Sequence, residues 1–330
     1  MAEYLTNTND LTLVANAIRT KGGTTELLTY PDEFVTAIQA IQTGTELKII
    51  VTVASGATVT ATKGSLSVSG SSVNGTCTLV IPEAGTWSVT ATLNGETSAT
   101  TNVSVKDSYA LTLNFLNDNF ADNDWSDIIA ACHSGSVPST WVVGNSKTMT
   151  INGASYQVDI IGKNHDTYTA GGTAPLTFQM HDCYADRKAM NSSNTNSGGW
   201  KNSAMRTTHL PAILALMPTE VQNGIREVSK KTSVGGASST IETVSDKLFL
   251  LSEVEIFGST RYSAAGEGTQ YYYYKAGNSK VKKRKGSAVR WWERSPDARS
   301  SMDFCAVDNT GSASSVGAGS TFSVACGFCF

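Results

Sequence analysis

His165-Asp166, preceded by Asn164, is the pair in this chain that looks most like hydrolase machinery. A catalytic histidine needs a nucleophile or a metal beside it, and adjacency to an aspartate along the chain supplies neither. A histidine hydrogen-bonded beneath a loop is the favoured reading. Cys132-His133, His181-Asp182-Cys183 and Cys326-Gly327-Phe328-Cys329 provide enough ligands for zinc on paper. Their spacings build no compact zinc module, so the expectation is no metal, no cofactor and free, buried thiols. Glu253 and Glu255 alternate along an expected strand, without the companion carboxylate that a polysaccharide hydrolase needs. The basic run at residues 280–285 could meet phosphates, but without a nucleic-acid-binding signature it reads as a solvated loop. Tyr271 to Tyr274 and Trp291-Trp292 could stack on sugars, anchor a protein partner or fill a core. The tryptophans are expected to be structural and the tyrosines mixed.

The bulk composition agrees with a protein that binds rather than attracts by charge. A net charge of −3 creates no field for nucleic acid or an anionic membrane, and neither partner is expected. Charged residues are only 16% of the 330, so Ser, Thr, Asn and Gly must solvate the surface. No apolar run reaches the ~20 residues that span a bilayer. The segment from Met1 to Leu5 has no basic and apolar leader pattern, so no secretory signal is expected. Release within a virion on lysis is one route to the outside.

The length implies more than one core. Three regions are expected: a helical segment at 1–45, an Ig-like β-sandwich at 46–116 and an α+β domain at 117–330. In the first, Leu11, Val14 and Ile18 mark one helix ended by Gly22-Gly23; Phe34, Ile38 and Ile41 mark a second, opened by Pro31 and stopped by Gly44. From Leu47 the period becomes two, with about seven short strands punctuated by Gly56, Gly64, Gly75, Gly85 and the hairpin signal Asn94-Gly95. Beyond residue 117, Trp125, Ile128, Ile129 and Cys132 predict a helix ended by Gly135, and Asn152-Gly153 predicts a hairpin. A helical patch at 213–225 and a buried strand at 247–252 follow. After Gly258 the chain is expected to be loop-rich.

Residues 297–323 are the least core-like. Met302, Phe304, Cys305, Val307, Val316 and Phe322 stand isolated among Ser, Ala, Gly, Thr, Asp, Asn and Arg. Such spacing predicts a displayed loop surface pinned at a few points rather than a flexible linker. The alternation of Phe322, Val324, Cys326, Phe328 and Phe330 predicts a strand returning to the core.

Several motifs occur in order: Ile160-Ile161-Gly162-Lys163-Asn164-His165-Asp166, Gly198-Gly199-Trp200, Ser203, Met205-Arg206, residues 246–255, Gly266-Glu267-Gly268 with Gln270-Tyr271, and Trp291-Trp292-Glu293-Arg294-Ser295-Pro296. Together they resemble an uncharacterised domain common in phages and prophages of Gram-positive gut bacteria. That family is of C-type-lectin-like fold, related to the formylglycine-generating-enzyme scaffold. The strings at residues 15–23 and 30–38 resemble a segment of phage structural proteins. Some members of the lectin-like group are variable proteins of diversity-generating retroelements. The resemblance then implies varied, ligand-contacting positions at Val289, Arg290, Asp297, Arg299, Ser301, Asp303, Ala306, Asp308, Thr310, Ser312, Ser314, Ser315, Gly317 and Ser320. It implies a fixed scaffold at Trp291, Trp292, Arg294, Phe304 and Phe328.

The expected function is a non-catalytic phage tail-fibre or tail-tip receptor-binding protein. Residues 1–45 would engage other tail proteins and form a homotrimer, 46–116 would act as a spacer, and 117–330 would bind a host surface protein or glycan without calcium. The alternatives are a polysaccharide-degrading or formylglycine-generating-like enzyme, and a bacterial surface adhesin.

Overall fold

The computed structural model describes residues 8–22, 27–40, 46–98 and 100–330. Strands outnumber helices, and the fold is β-rich. Two compact units divide the chain: residues 1–89 with 102–112, and residues 90–101 with 113–330.

The first unit opens with α1 (Thr8–Gly22) and α2 (Asp32–Ala40). Ala15, Ile18 and Phe34 are buried between them, flanked by Leu11, Leu28 and Ala37. The buried row of α1 is therefore Leu11, Ala15 and Ile18. Val14 is 48% and Ile38 is 53% exposed, against expectation. One short helix covers only a narrow row of its partner, so residues at the stripe's edge stay in water. The expected Ile41, Gly23 and Gly44 positions lie outside the described residues.

The strands follow the period-two pattern closely: β1 (Lys48–Thr52), β2 (Thr58–Lys63), β3 (Leu66–Ser71), β4 (Thr76–Val80), β5 (Gly85–Leu93), β6 (Glu96–Thr97), β7 (Thr101–Val105) and β8 (Ser108–Thr112). One sheet runs β4-β1-β8, with β1 and β8 parallel. The other runs β3-β2-β5-β6, with β7 also on β5. Alternate residues are buried, including Ile49 and Val51, Val59 and Ala61, and Trp87, Val89 and Ala91. Asn94-Gly95 turns β5 into β6 with φ of 52° and 90°, a left-handed pair that Asn and Gly tolerate.

The second unit contains α3 (Trp125–Ser134), β9 (Ser146–Ile151), β10 (Ala154–Lys163), β11 (Leu176–Met180), β12 (Lys188–Ala189), α4 (Leu210–Leu214), α5 (Thr219–Gly224), β13 (Val228–Ser233), β14 (Ile241–Asp246), α6 (Glu253–Phe257), α7 (Tyr272–Lys275), β15 (Lys282–Arg284), β16 (Ser287–Val289), β17 (Trp291–Pro296), β18 (Asp303–Val307), β19 (Ala313–Gly317), β20 (Thr321–Phe322) and β21 (Gly327–Cys329). A four-stranded antiparallel sheet has the order β21-β11-β10-β9, and a second sheet has the order β17-β18-β19. Three two-stranded ribbons, β12-β20, β13-β14 and β15-β16, complete the scaffold. Gly135 ends α3 at φ 72°, and Asn152-Gly153 makes the β9–β10 turn, both as the sequence predicts.

Four expectations are corrected. Residues 248–252 are buried and Lys247 is exposed, but the segment forms no strand beyond one bridge from Phe249 to Gly327. Arg294 consumes the next acceptors: its Nη1 bonds Leu250 O at 3.0 Å and its amide bonds Leu251 O at 2.9 Å. Glu253 and Glu255 sit on helix α6, because Ser252 and Glu255 form a capping box. The basic run forms β15 rather than a solvated loop. Lys282 is buried there, donating to Met180 O at 2.5 Å and His181 O at 2.9 Å. Finally, the tail after Pro296 is mostly a β-hairpin, since the spaced apolar residues Phe304, Cys305 and Val307 pack inward from β18.

Candidate ligand-binding surface

The frame of the tail is β17. All six of its residues are buried, and Trp291 and Trp292 are fully so. Their indole nitrogens still find acceptors, Lys280 O at 3.0 Å and Lys188 O at 2.8 Å, which fixes both rings. Arg294 is buried with two hydrogen bonds to Glu255; the Nη2 to Oε1 distance is 2.8 Å. Glu255 also meets Lys230 at 3.1 Å, and Lys230 meets Asp166 at 2.6 Å and Tyr271 Oη at 2.7 Å. The four charges cancel within the core, which is how a low-dielectric interior tolerates them. Burial alone would raise the Asp166 carboxyl, but the Lys230 ammonium and hydrogen bonds from Thr177 and Tyr271 hold it at about 2.

This arrangement uses up the hydrolase-like pair. His165 stacks on Tyr271 with ring centroids 4.0 Å apart, and Asp166 is an ion-pair partner. The zinc-like residues are dispersed in the same way. His133 Nε2 lies 2.8 Å from Gly224 O, and His181 Nδ1 lies 2.7 Å from Asp159. All six cysteines are free and buried, and burial pushes the thiols of Cys132, Cys183 and Cys326 up to about 12. Among the described residues, no three His, Cys, Asp or Glu side chains converge as a metal site would require.

One buried acid, Glu293, lacks hydrogen bonds to its carboxyl group, and both of the oxygens are buried. Burial, then the neighbouring Glu253 and Glu267, push its carboxyl well above the usual range.

The positions expected to vary separate into three groups. Arg299, Ser301, Thr310 and Ser312 are exposed; Val289, Arg290, Asp303, Asp308, Ser314, Ser315 and Ser320 are half-buried. Three positions depart from the expectation of free display. Ala306 is fully buried, paired with Trp292 on one side and Ser314 on the other. Asp297 is 4% exposed, with its Oδ1 accepting from the Arg299 amide at 2.8 Å. Gly317 backs onto Asn194, whose Oδ1 would lie 2.6 Å from any added Cβ. Ala306 is covered because β18 is the central strand of its sheet, whereas Asp297 is held by its own loop and Gly317 by the close approach of Asn194. Of the scaffold positions, Trp291, Trp292, Arg294, Phe304 and Phe328 are all fully buried.

Two devices hold the surface rigid. Asp308 Oδ1 accepts from Thr310 N at 2.8 Å, Thr310 Oγ1 at 2.7 Å and Ser312 N at 2.9 Å, locking the β18–β19 turn. Asn196 is buried beneath the 297–303 loop and donates to Ser300 O and Asp303 O, each at 2.7 Å. Sequence reasoning missed Asn196. Its signal was the nearby Gly198-Gly199: Gly199, at φ 58°, approaches Ser233 O so closely that a Cβ would lie 2.2 Å away.

Sequence reasoning also missed Arg187 and Arg284 as partners of Arg290. The β15–β16 hairpin, turned by Lys285-Gly286 at φ 51° and 81°, and the β12–β20 ribbon bring the three arginines to one open cavity of about 350 Å³. Val289, Asn309 and Phe322 complete much of its lining. Arg187 Cζ and Arg290 Cζ lie 5.5 and 5.2 Å from the Phe322 ring centroid.

A family model described as a domain of unknown function, DUF6273, matches residues 176–327. No curated protein matches the chain. A solved structure of a DUF4876 family protein from Bacteroides thetaiotaomicron VPI-5482 is similar at 10% identity and a TM-score of 0.16, covering 46% of this chain and 37% of that one. This chain thus spans well under two thirds of that protein, and so weak a likeness assigns neither fold nor function.

Proposed function

We propose that this protein is a non-catalytic receptor-binding protein of the phage tail-fibre or tail-tip type, carried on the virion. One observation carries the reading: small polar side chains cover the β18–β19 hairpin and its flanking loops, while the frame beneath is buried. A surface that must accept many side chains without unfolding needs this separation, because exposed substitutions cost little. Rigid backbone also lowers the entropy lost on binding. In this reading residues 117–330 form a C-type-lectin-like domain whose tail is rewritten by a diversity-generating retroelement. Residues 46–116 form an Ig-like spacer, to which the parallel β1–β8 pairing lends support. The exposed Leu13, Val14, Leu27 and Val35 suit 1–45 to a homotrimer or to docking on other tail proteins.

The test replaces Ser301, Thr310, Ser312 and Ser314 together by tyrosine and follows thermal unfolding and binding to candidate host cells. The expected result is a nearly unchanged midpoint with lost or redirected binding, and wild-type binding that survives EDTA. Unchanged binding would refute the reading. The encoding locus gives an independent check: a downstream near-copy of the last segment, differing only where it carries adenine, is expected beside a reverse-transcriptase gene.

A further inference from the structure

The cavity beside the hairpin is lined by three guanidinium groups and by no carboxylate. None of Arg187, Arg284 and Arg290 has a carboxylate within ion-pair distance among the described residues. Arg284 uses its Nε on Ala185 O at 2.7 Å, which aims the group without neutralising it. Arg290 Nε is buried and donates to no protein acceptor. Asp308 feels the Arg290 charge, yet its Oδ1 is committed to Thr310 and Ser312. Phe322 supports two of the arginines on its ring, which orders them before any ligand arrives. Buried donors without acceptors and converging like charges both cost free energy. An oxyanion seated among them relieves both, and guanidinium forks match its geometry.

We infer that this cavity binds the oxyanion, a carboxylate or a phosphate, carried by a sugar unit of an anionic cell-surface glycopolymer. The inference rests on the reading of the hairpin as a ligand-binding face, since Val289, Arg290 and Asn309 belong to both. A cavity of about 350 Å³ accommodates one monosaccharide with its charged substituent.

The test is calorimetric titration of the full chain with glucuronate, with inorganic phosphate and with glucose as the neutral control. Glucuronate, phosphate or both are expected to bind, with glucose silent, and the preferred anion identifies the polymer's charged group. Arg187→Gln, at an exposed position that does not threaten folding, is expected to weaken binding at least tenfold. Arg187→Lys is expected to lose less. No binding of either anion, or binding unchanged in both Arg187→Gln and Arg290→Gln, overturns the inference. Host-cell binding measured in parallel separates the two readings. Cells bound without anion affinity removes this inference and keeps the proposed function; anion affinity without cell binding does the reverse.

Discussion

In β17 all six residues are buried, whereas in β19, two places across the same sheet, all five are half-buried. The first strand carries Trp291, Trp292, Glu293 and Arg294, large or charged groups whose every contact is specified. The second carries Ala313, Ser314, Ser315, Val316 and Gly317, small groups with open sides. Strands of one sheet can thus obey opposite rules, because burial depends on which face and edge of the sheet is covered. The strand between them, β18, shows the transition: Ala306 points inward while Asp303 at its end is half-buried.

The comparison can be broken most severely at the ionic core. Lys230→Met leaves Asp166 and Glu255 without their shared cation and is expected to destabilise the fold by about 3–5 kcal/mol, read from urea unfolding. Asp166 adds an acid limit. Its folded carboxyl lies below the ordinary 3.8, so its stabilisation is present above that pH and fades as pH falls toward 2. Next in size is Ala306→Asp, which places a charge in the core and should cost about 3 kcal/mol. A tolerant Ala306 would mean that the hairpin is not held as described.

Glu293 has the opposite pH sign. Its carboxyl is raised above the ordinary 4.5, so its contribution is fully present below that value and is lost as pH rises. Glu293→Gln keeps the shape without the titration and should flatten the fall in melting temperature between pH 5 and pH 8. An unchanged slope would show that the carboxyl finds a partner in solution. The smallest effect is expected on β19. Ser314→Asp should change stability by no more than about 0.5 kcal/mol, because a half-buried side chain with an open side keeps its charge in water. A large loss there would erase the distinction between the two strands.

Local chemistry made much of this legible. Asn94-Gly95 and Asn152-Gly153 announced their hairpins because few other residues accept left-handed backbone. Gly135 ended α3 for the same reason. The alternation from Lys48 onward marked most of the strands as far as Thr112. Other errors were avoidable locally: Ser252 followed by Glu255 is a capping box, and it foretold a helix where alternation suggested a strand. Arg290 was legible only as a candidate for the variable surface, from its place just before the tryptophan pair.

What the sequence determined by itself was the set of turns, helix stops and periodicities, along with the division between a buried Trp-Trp frame and a polar tail. These depend on a residue and its near neighbours. Only the tertiary structure decided that Lys230, Asp166, Glu255 and Arg294 neutralise one another, that Asn196 pins the 297–303 loop, and that Arg187 and Arg284 join Arg290 around one cavity. Those partners come from separate strands and loops up to about a hundred residues apart. Their proximity is set by how sheets and ribbons pack, a long-range property that no local period encodes.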